Sequence, residues 1–112
     1  MAKKKPEFVE HLLDLLAPLG EISARSMFGG WGFYREGRMF ALVAFDTFFI
    51  KADTENRAAF TDRGLTPFRY EMRPGKWNEM SYYQPPPEAL ESPAELCRWA
   101  RFGLEAAQRA AR

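Results

Sequence analysis

Apolar positions along this chain change period three times. Phe8, Leu12, Leu15, Leu16 and Leu19 recur at helical spacing, with Glu7, Glu10 and Asp14 elsewhere on the wheel, so an amphipathic helix is expected to open the fold. Pro6 suits its first position, Pro18 limits its far end and Gly20 can close it. Between Ile22 and Lys51 the period shortens to that of strands, punctuated by Gly29-Gly30, Glu36-Gly37 and Asp46-Thr47. Strands are expected at 22–28, 31–35, 39–45 and 48–52. Connections this short make hairpins, which predicts an antiparallel meander. The third strand is apolar on both alternating faces, as in strands covered on two sides or lying at a dimer contact.

Asp53 or Thr54 can then cap a short helix through Arg57, Ala58, Ala59 and Phe60 that ends at Gly64. Phe68-Arg69-Tyr70-Glu71-Met72-Arg73 alternates cleanly, predicting a strand with one buried and one wet face. Pro74-Gly75 marks a turn, 80–84 a last strand, and Pro85-Pro86-Pro87 cannot continue a ladder. Ser92-Pro93-Ala94-Glu95 reads as a capping box opening a final helix. Its stripe is Leu96, Trp99, Ala100, Leu104 and Ala107, with Arg98, Arg101, Glu105 and Arg109 expected in water. The order predicts a two-layer α+β fold. An antiparallel sheet of five to six strands (a four-strand meander, a helix, then two more strands) is flanked by N- and C-terminal helices.

With 112 residues, the chain suits one domain, 1–112, with one core. Hydrophobic residues are 46% and aromatic residues 15%, which excludes a disordered chain and leaves rings to spare for a surface. Sixteen basic and fifteen acidic side chains give a net charge of +1, which argues against a domain that holds nucleic acid mainly by phosphate contacts. Cys97 is the single cysteine, which rules out an internal disulfide and suits a reducing compartment. Charged residues interrupt the apolar positions after Lys3-Lys4-Lys5, unlike a signal peptide. No apolar run approaches the ~20 residues of a membrane span. A soluble cytoplasmic protein with no membrane role is expected.

Catalytic and metal chemistry find little to work with. His11 has no His or Cys neighbour at ligand spacing, and no nucleophile elbow is present for it to serve. Cys97 has only Arg98 and Arg101 nearby as basic partners. Gly29-Gly30-Trp31-Gly32 leads into an aromatic strand, not a helix, and lacks Gly-Lys-Ser/Thr, so it reads as a hairpin turn rather than a phosphate loop. No enzyme, cofactor or metal site is expected. Phe33-Tyr34-Arg35 and Phe68-Arg69-Tyr70 interleave rings with bases as single-strand platforms do, but any half-buried strand alternates this way. Trp77, Tyr82 and Tyr83, beside the proline run, are of residue types that interfaces favour.

The run Arg25-Ser26-Met27-Phe28-Gly29-Gly30-Trp31-Gly32-Phe33-Tyr34, followed by Gly37-Arg38-Met39-Phe40-Ala41-Leu42-Val43, closely resembles the N-terminal domain of the TfoX (Sxy) family of bacterial competence regulators. The likeness continues through Phe48-Phe49-Ile50-Lys51, Phe68-Arg69-Tyr70, Met80-Ser81-Tyr82-Tyr83 and the helix at 96–100. The resemblance implies a curved antiparallel sheet with helices packed on it, similar to secretion-chaperone-like folds. It also implies action on transcription, with the cyclic-AMP receptor protein as the family's partner and no catalytic residues. Family regulators carry a second, helical C-terminal domain, whereas this chain stops after its last N-domain helix, so a stand-alone N-terminal domain is expected.

The expected function is a non-catalytic regulatory module that binds a protein partner, such as a transcription regulator, with a homodimer left open. The alternative is a direct nucleic-acid-binding regulator. The binding surface is placed on the hairpin carrying Arg25, Met27, Phe28, Gly29, Gly30, Trp31, Tyr34 and Arg38. A structural reading stands beside it, in which Met27 and Phe28 are core and the glycines only make the turn. Exposure of Trp31 and Tyr34 decides between the two.

Overall fold

The amphipathic opening segment becomes helix α1 (Glu7–Leu16), which buries Val9, Leu12, Leu15 and Leu16 along one stripe. In this computed structural model, residues 4–27 and 29–111 are described. Pro6 precedes α1 as its extended cap residue, and a 3-10 turn at Ala17–Leu19 carries the chain to Gly20, which reverses it at φ 107°. The four expected strands follow as β1 (Ser23–Met27), β2 (Gly30–Arg35), β3 (Arg38–Ala44) and β4 (Thr47–Lys51). Each pairs antiparallel with the next. Helix α2 (Arg57–Thr61), strands β5 (Pro67–Arg73) and β6 (Lys76–Tyr83), and helix α3 (Pro93–Ala110) complete the order. The six strands form one antiparallel sheet in the order β1-β2-β3-β4-β6-β5, giving the expected α+β fold.

Both long helices pack on the same face of the sheet. Trp31, Phe33, Phe40, Val43, Phe48 and Ile50 meet Val9, Leu12, Leu16, Leu96, Trp99 and Ala100 in one continuous core. A bulge between Phe33 and Tyr34 shifts the β2–β3 register, and both Phe40 and Ala41 join the helix-side core. Cys97 Sγ donates to the Leu15 carbonyl at 3.4 Å, joining α3 to α1. Gly103 brings α3 closest to the sheet, because any Cβ there would collide with the Phe40 carbonyl oxygen. Rings of Phe60, Tyr83, Trp99 and Phe102 close the core beside α2.

Several local expectations change. The regular part of α2 begins after Asn56, and Asp53 caps the turn that runs into it: its Oδ1 accepts from the N–H groups of Glu55 at 3.1 Å and Asn56 at 3.2 Å, and its carbonyl accepts from the Arg57 N–H at 2.9 Å. Arg109, expected in water, donates to Asp53 Oδ2 at 2.6 Å and Oδ1 at 2.9 Å, and lies 2.6 Å from Glu55. Together with Asn56 Nδ2, which donates to the Phe102 carbonyl at 2.9 Å, this latches the end of α3 to the β4–α2 connection. The capping box of α3 is half made. Ser92 Oγ accepts from the Glu95 N–H at 3.3 Å, but the Glu95 carboxylate turns outward to Arg98.

Phe45, read as a strand end, sits in the β3–β4 turn with φ 52°, followed by Asp46 at φ 56°. Two consecutive left-handed residues are what a twisted two-residue hairpin demands, although asparagine and glycine usually supply them. β6 starts four residues earlier than expected, and residues 71–80 are exposed throughout. The cause is that only Ile50–Tyr83 and Lys51–Tyr82 pair β6 with β4, so most of the β5–β6 hairpin leaves the ladder of the sheet. Phe68 and Tyr70 are half-buried, but Met72 is exposed, so the clean one-face burial expected of that strand is not reached.

Candidate interaction face

Strand alternation sends every second side chain of β1–β4 away from the helices. Leu42, Phe49 and Tyr82 form a second buried cluster there, with Met39, Ala44 and Phe68 packed against it. None of the helices over the described residues covers this face. Among the described residues its roof is the β5–β6 hairpin. A register shift at Pro67/Phe68 accompanies its bend, and the Phe68 ring lies 5.0 Å from that of Phe49. Between hairpin and sheet runs an open trough of about 290 Å³, lined by Met27, Met39, Leu42, Ala44, Phe68 and Met80.

Glycine makes the floor. A Cβ on Gly32 would lie 2.8 Å from Met39 Sδ and 3.1 Å from Met27 Sδ, so two thioethers converge over bare backbone. Thioether side chains are unbranched and polarizable, and adapt to apolar surfaces of varied shape.

The charges on this face are of one sign. Arg25 lies over the Tyr34 ring at 4.8 Å and Lys51 over the Tyr82 ring at 5.4 Å. Among the described residues of β1–β4 that face this side, none is a carboxylate. Glu71 folds onto the Gly75 N–H at 3.1 Å, and Glu79 faces Arg69 at 3.9 Å. Burial pushes the Tyr82 hydroxyl up to about 12, and the neighbouring Tyr34 phenol adds to the effect.

The expected surface splits in two. Arg25, Met27 and Tyr34 come together on the trough side. Trp31 is only 7% exposed, packed in the helix-side core, and is withdrawn from the surface. Alternation explains this: with Trp31 and Phe33 under the helices, Gly32 and Tyr34 must point the other way. Arg38 is exposed beside Leu104, Ala107 and Gln108 of α3, away from the trough. Gly29 makes the turn at φ 79°, and Gly30 leaves no room for a side chain against the Val43 carbonyl oxygen. Phe28 lies outside the described residues.

Met39, Leu42, Phe68, Met80 and Lys51 were not expected in the site. One signal for them existed: strand 39–45 is apolar on both faces, which a sheet covered on one side would not need.

The reactive side chains are placed unremarkably. Burial pushes the Cys97 thiol up, and it is held against the Leu15 carbonyl. His11 is exposed on α1. Among the described residues, no three His, Cys, Asp or Glu side chains are grouped to hold a metal ion. No helix over these residues is long and apolar enough to cross a membrane. A wider bay of about 780 Å³ opens by the α1–β1 connection, but it mixes Glu21, Arg35 and Glu36 with Leu13 and Ile22 and gathers no convergent set of polar groups.

A model of the TfoX N-terminal domain family matches residues 14–107. A curated relative, the DNA transformation protein TfoX1 of Aliivibrio fischeri, is 33% identical over 61 residues, covering 54% of this chain and 29% of that protein. The match thus spans under a third of the relative's length.

Proposed function

The chain belongs to the TfoX N-terminal domain family, and from that membership we propose that it is a non-catalytic, competence-related regulatory module that binds a partner protein through the helix-free face of its sheet. The observation that carries the reading is the trough itself. Leu42 and Phe49 are buried with no helix over them, while Met27, Met39 and Met80 line an opening beside them. Apolar side chains reachable from solvent beside a buried cluster offer a partner surface whose covering is favourable. A regulator of this sort works in the cytoplasm, which an unpaired cysteine suits.

Capture from a nuclease-treated native extract tests the reading, comparing the parent with a Met39→Glu variant shown by its melting curve to stay folded. A protein held by the parent and lost with Met39→Glu is the expected result. Equal capture by both forms would place the binding surface elsewhere.

Direct nucleic-acid binding is the second reading. It is favoured by the Arg25–Tyr34 and Lys51–Tyr82 pairs on a face without carboxylates. It requires affinity for a single-stranded oligonucleotide that falls steeply with salt, because phosphate contacts release counterions. Binding through an apolar trough gives a weak salt dependence instead.

A further inference from the structure

We propose that the occupant of the trough is an amphipathic, acidic helical segment of a partner protein. Its apolar side chains seat among Met27, Met39, Leu42 and Met80, and its carboxylates meet Arg25 and Lys51. The inference rests on the reading of the helix-free face as a binding surface and goes on to name the chemistry of what binds.

Shape and lining select the apolar half of this occupant. The trough is walled by the β5–β6 hairpin on one side and by β1–β3 on the other, and its lining is mainly aliphatic and thioether. Such grooves take Leu-, Met- or Phe-type anchors of an amphipathic helix. Stacking of bases needs free ring faces. Tyr82 is buried under Lys51, Phe68 is engaged with Phe49, Tyr34 carries Arg25 and Tyr70 lies against Phe68, so these rings offer little of that surface.

Charge selects the other half. Although the chain as a whole is nearly neutral, its cations are not distributed evenly with respect to carboxylates. Arg63, Arg69, Arg98 and Arg109 each have a carboxylate partner. Arg25 and Lys51, like Arg35, Arg38, Arg57, Arg73 and Arg101, have none among the described residues; what sets these two apart is their place on the helix-free face, each resting on a tyrosine ring. They stand on β1 and β4, three strand spacings across the sheet and two residues offset along it, or about 16 Å apart. That is enough to bracket a helix roughly 10–12 Å across. A second copy of this chain is a poor occupant. An isologous pairing of this face would bring Arg25 and Lys51 against the same two cations.

The test uses the full chain and two labelled synthetic peptides of roughly 18 residues, about five helical turns. Both carry the same leucine stripe; one has glutamate and glutamine on its remaining positions, the other lysine and glutamine. Anisotropy titrations should show the acidic peptide binding about tenfold more tightly, the preference that two rim ion pairs supply. The Arg25→Glu/Lys51→Glu chain should reverse that preference, and Met39→Glu should weaken both peptides. Melting curves of each variant establish that it is folded.

Equal affinity for the two peptides would overturn the acidic occupant while leaving the trough as an apolar site. Binding of neither peptide would overturn the helical occupant, and the extract capture with Met39→Glu then decides separately whether the trough binds a protein. Saturable, salt-sensitive binding of a single-stranded oligonucleotide in place of the peptides would overturn both in favour of nucleic acid.

Discussion

Replacing Gly103 by alanine adds one methyl group where α3 comes closest to the sheet. On an open helix surface this change stabilises by about 1 kcal/mol, because glycine is the poorer helix former. At this position the added carbon would overlap the Phe40 carbonyl oxygen and lie 2.9 Å from Ile50 Cγ2. The carbonyl belongs to β3 and cannot swing aside as a side chain would. α3 must therefore retreat by roughly 1 Å before carbon and oxygen reach ordinary contact. A gap of that size forfeits a quarter to a half of each dispersion contact across it, and Trp99, Ala100, Ala106 and Ala107 all lie on the retreating face. Overpacking typically costs about 1–3 kcal/mol, and a backbone obstacle places this case at the upper end. Less the propensity gain, the expected net loss is about 2 kcal/mol, or roughly 8–12 °C in melting temperature for a domain of this size. Thermal and urea denaturation would measure it, with Glu105→Ala on the exposed side of α3 as a control expected to stay within about 0.5 kcal/mol of the parent. A Gly103→Ala protein that melts at or above the parent would refute the close approach.

Trp31→Ala should cost about 3–5 kcal/mol as a buried large-to-small change; an unaltered urea midpoint would return Trp31 to the surface. Phe45→Asn should raise stability by about 0.5–1 kcal/mol, since asparagine tolerates the left-handed turn and Phe45, 80% exposed, forfeits little burial. A lower melting temperature would mean that Phe45 packs against something. Hydrogen bonds from Arg109 hold the Asp53 carboxyl below the ordinary carboxylate range. Its folded value is thus lower than its unfolded one, so the stabilisation is present above about pH 4 and fades as pH falls through the folded value. The gap in melting temperature between parent and Asp53→Asn should be full at neutral pH and close in stronger acid; a gap that ignores pH would exclude the charged pair as its source.

What was legible in the sequence was local. α1, the meander and α3 were each announced by a period, a cap or a turn within a few residues, and Ser92 does hold the Glu95 N–H. The errors lie where distant segments decide. Arg109 looked like a solvated helix residue because its partner Asp53 is 56 positions away. The early start of β6 at Lys76 carries no burial pattern, since those residues pair only with β5 and face water on both sides. Trp31 and Tyr34 are near neighbours in sequence, yet three residues apart on a strand they must face opposite ways. The two-sided pattern of 39–45 did foretell a second covered face. That the cover is Phe68 and Met80, from a hairpin bent back across the sheet, depends on a register shift that has no local signature.

The placement of α3 has a consequence for how the chain matures. Neighbouring strands of the meander are separated by short turns and can pair as soon as they are made. The contact between Leu15 and Cys97 must wait for a segment 82 positions later, with the larger closure entropy of a long loop. Docking of the terminal helix should therefore limit refolding: Leu96→Ala is expected to slow it, while Phe68→Ala mainly accelerates unfolding. Stopped-flow traces with the same refolding rate for Leu96→Ala and the parent would contradict this. During synthesis the eighteen residues of α3 are made after all six strands. Until they are, the nascent sheet carries uncovered apolar side chains on its helix side as well as in the trough, and such surface is prone to aggregation.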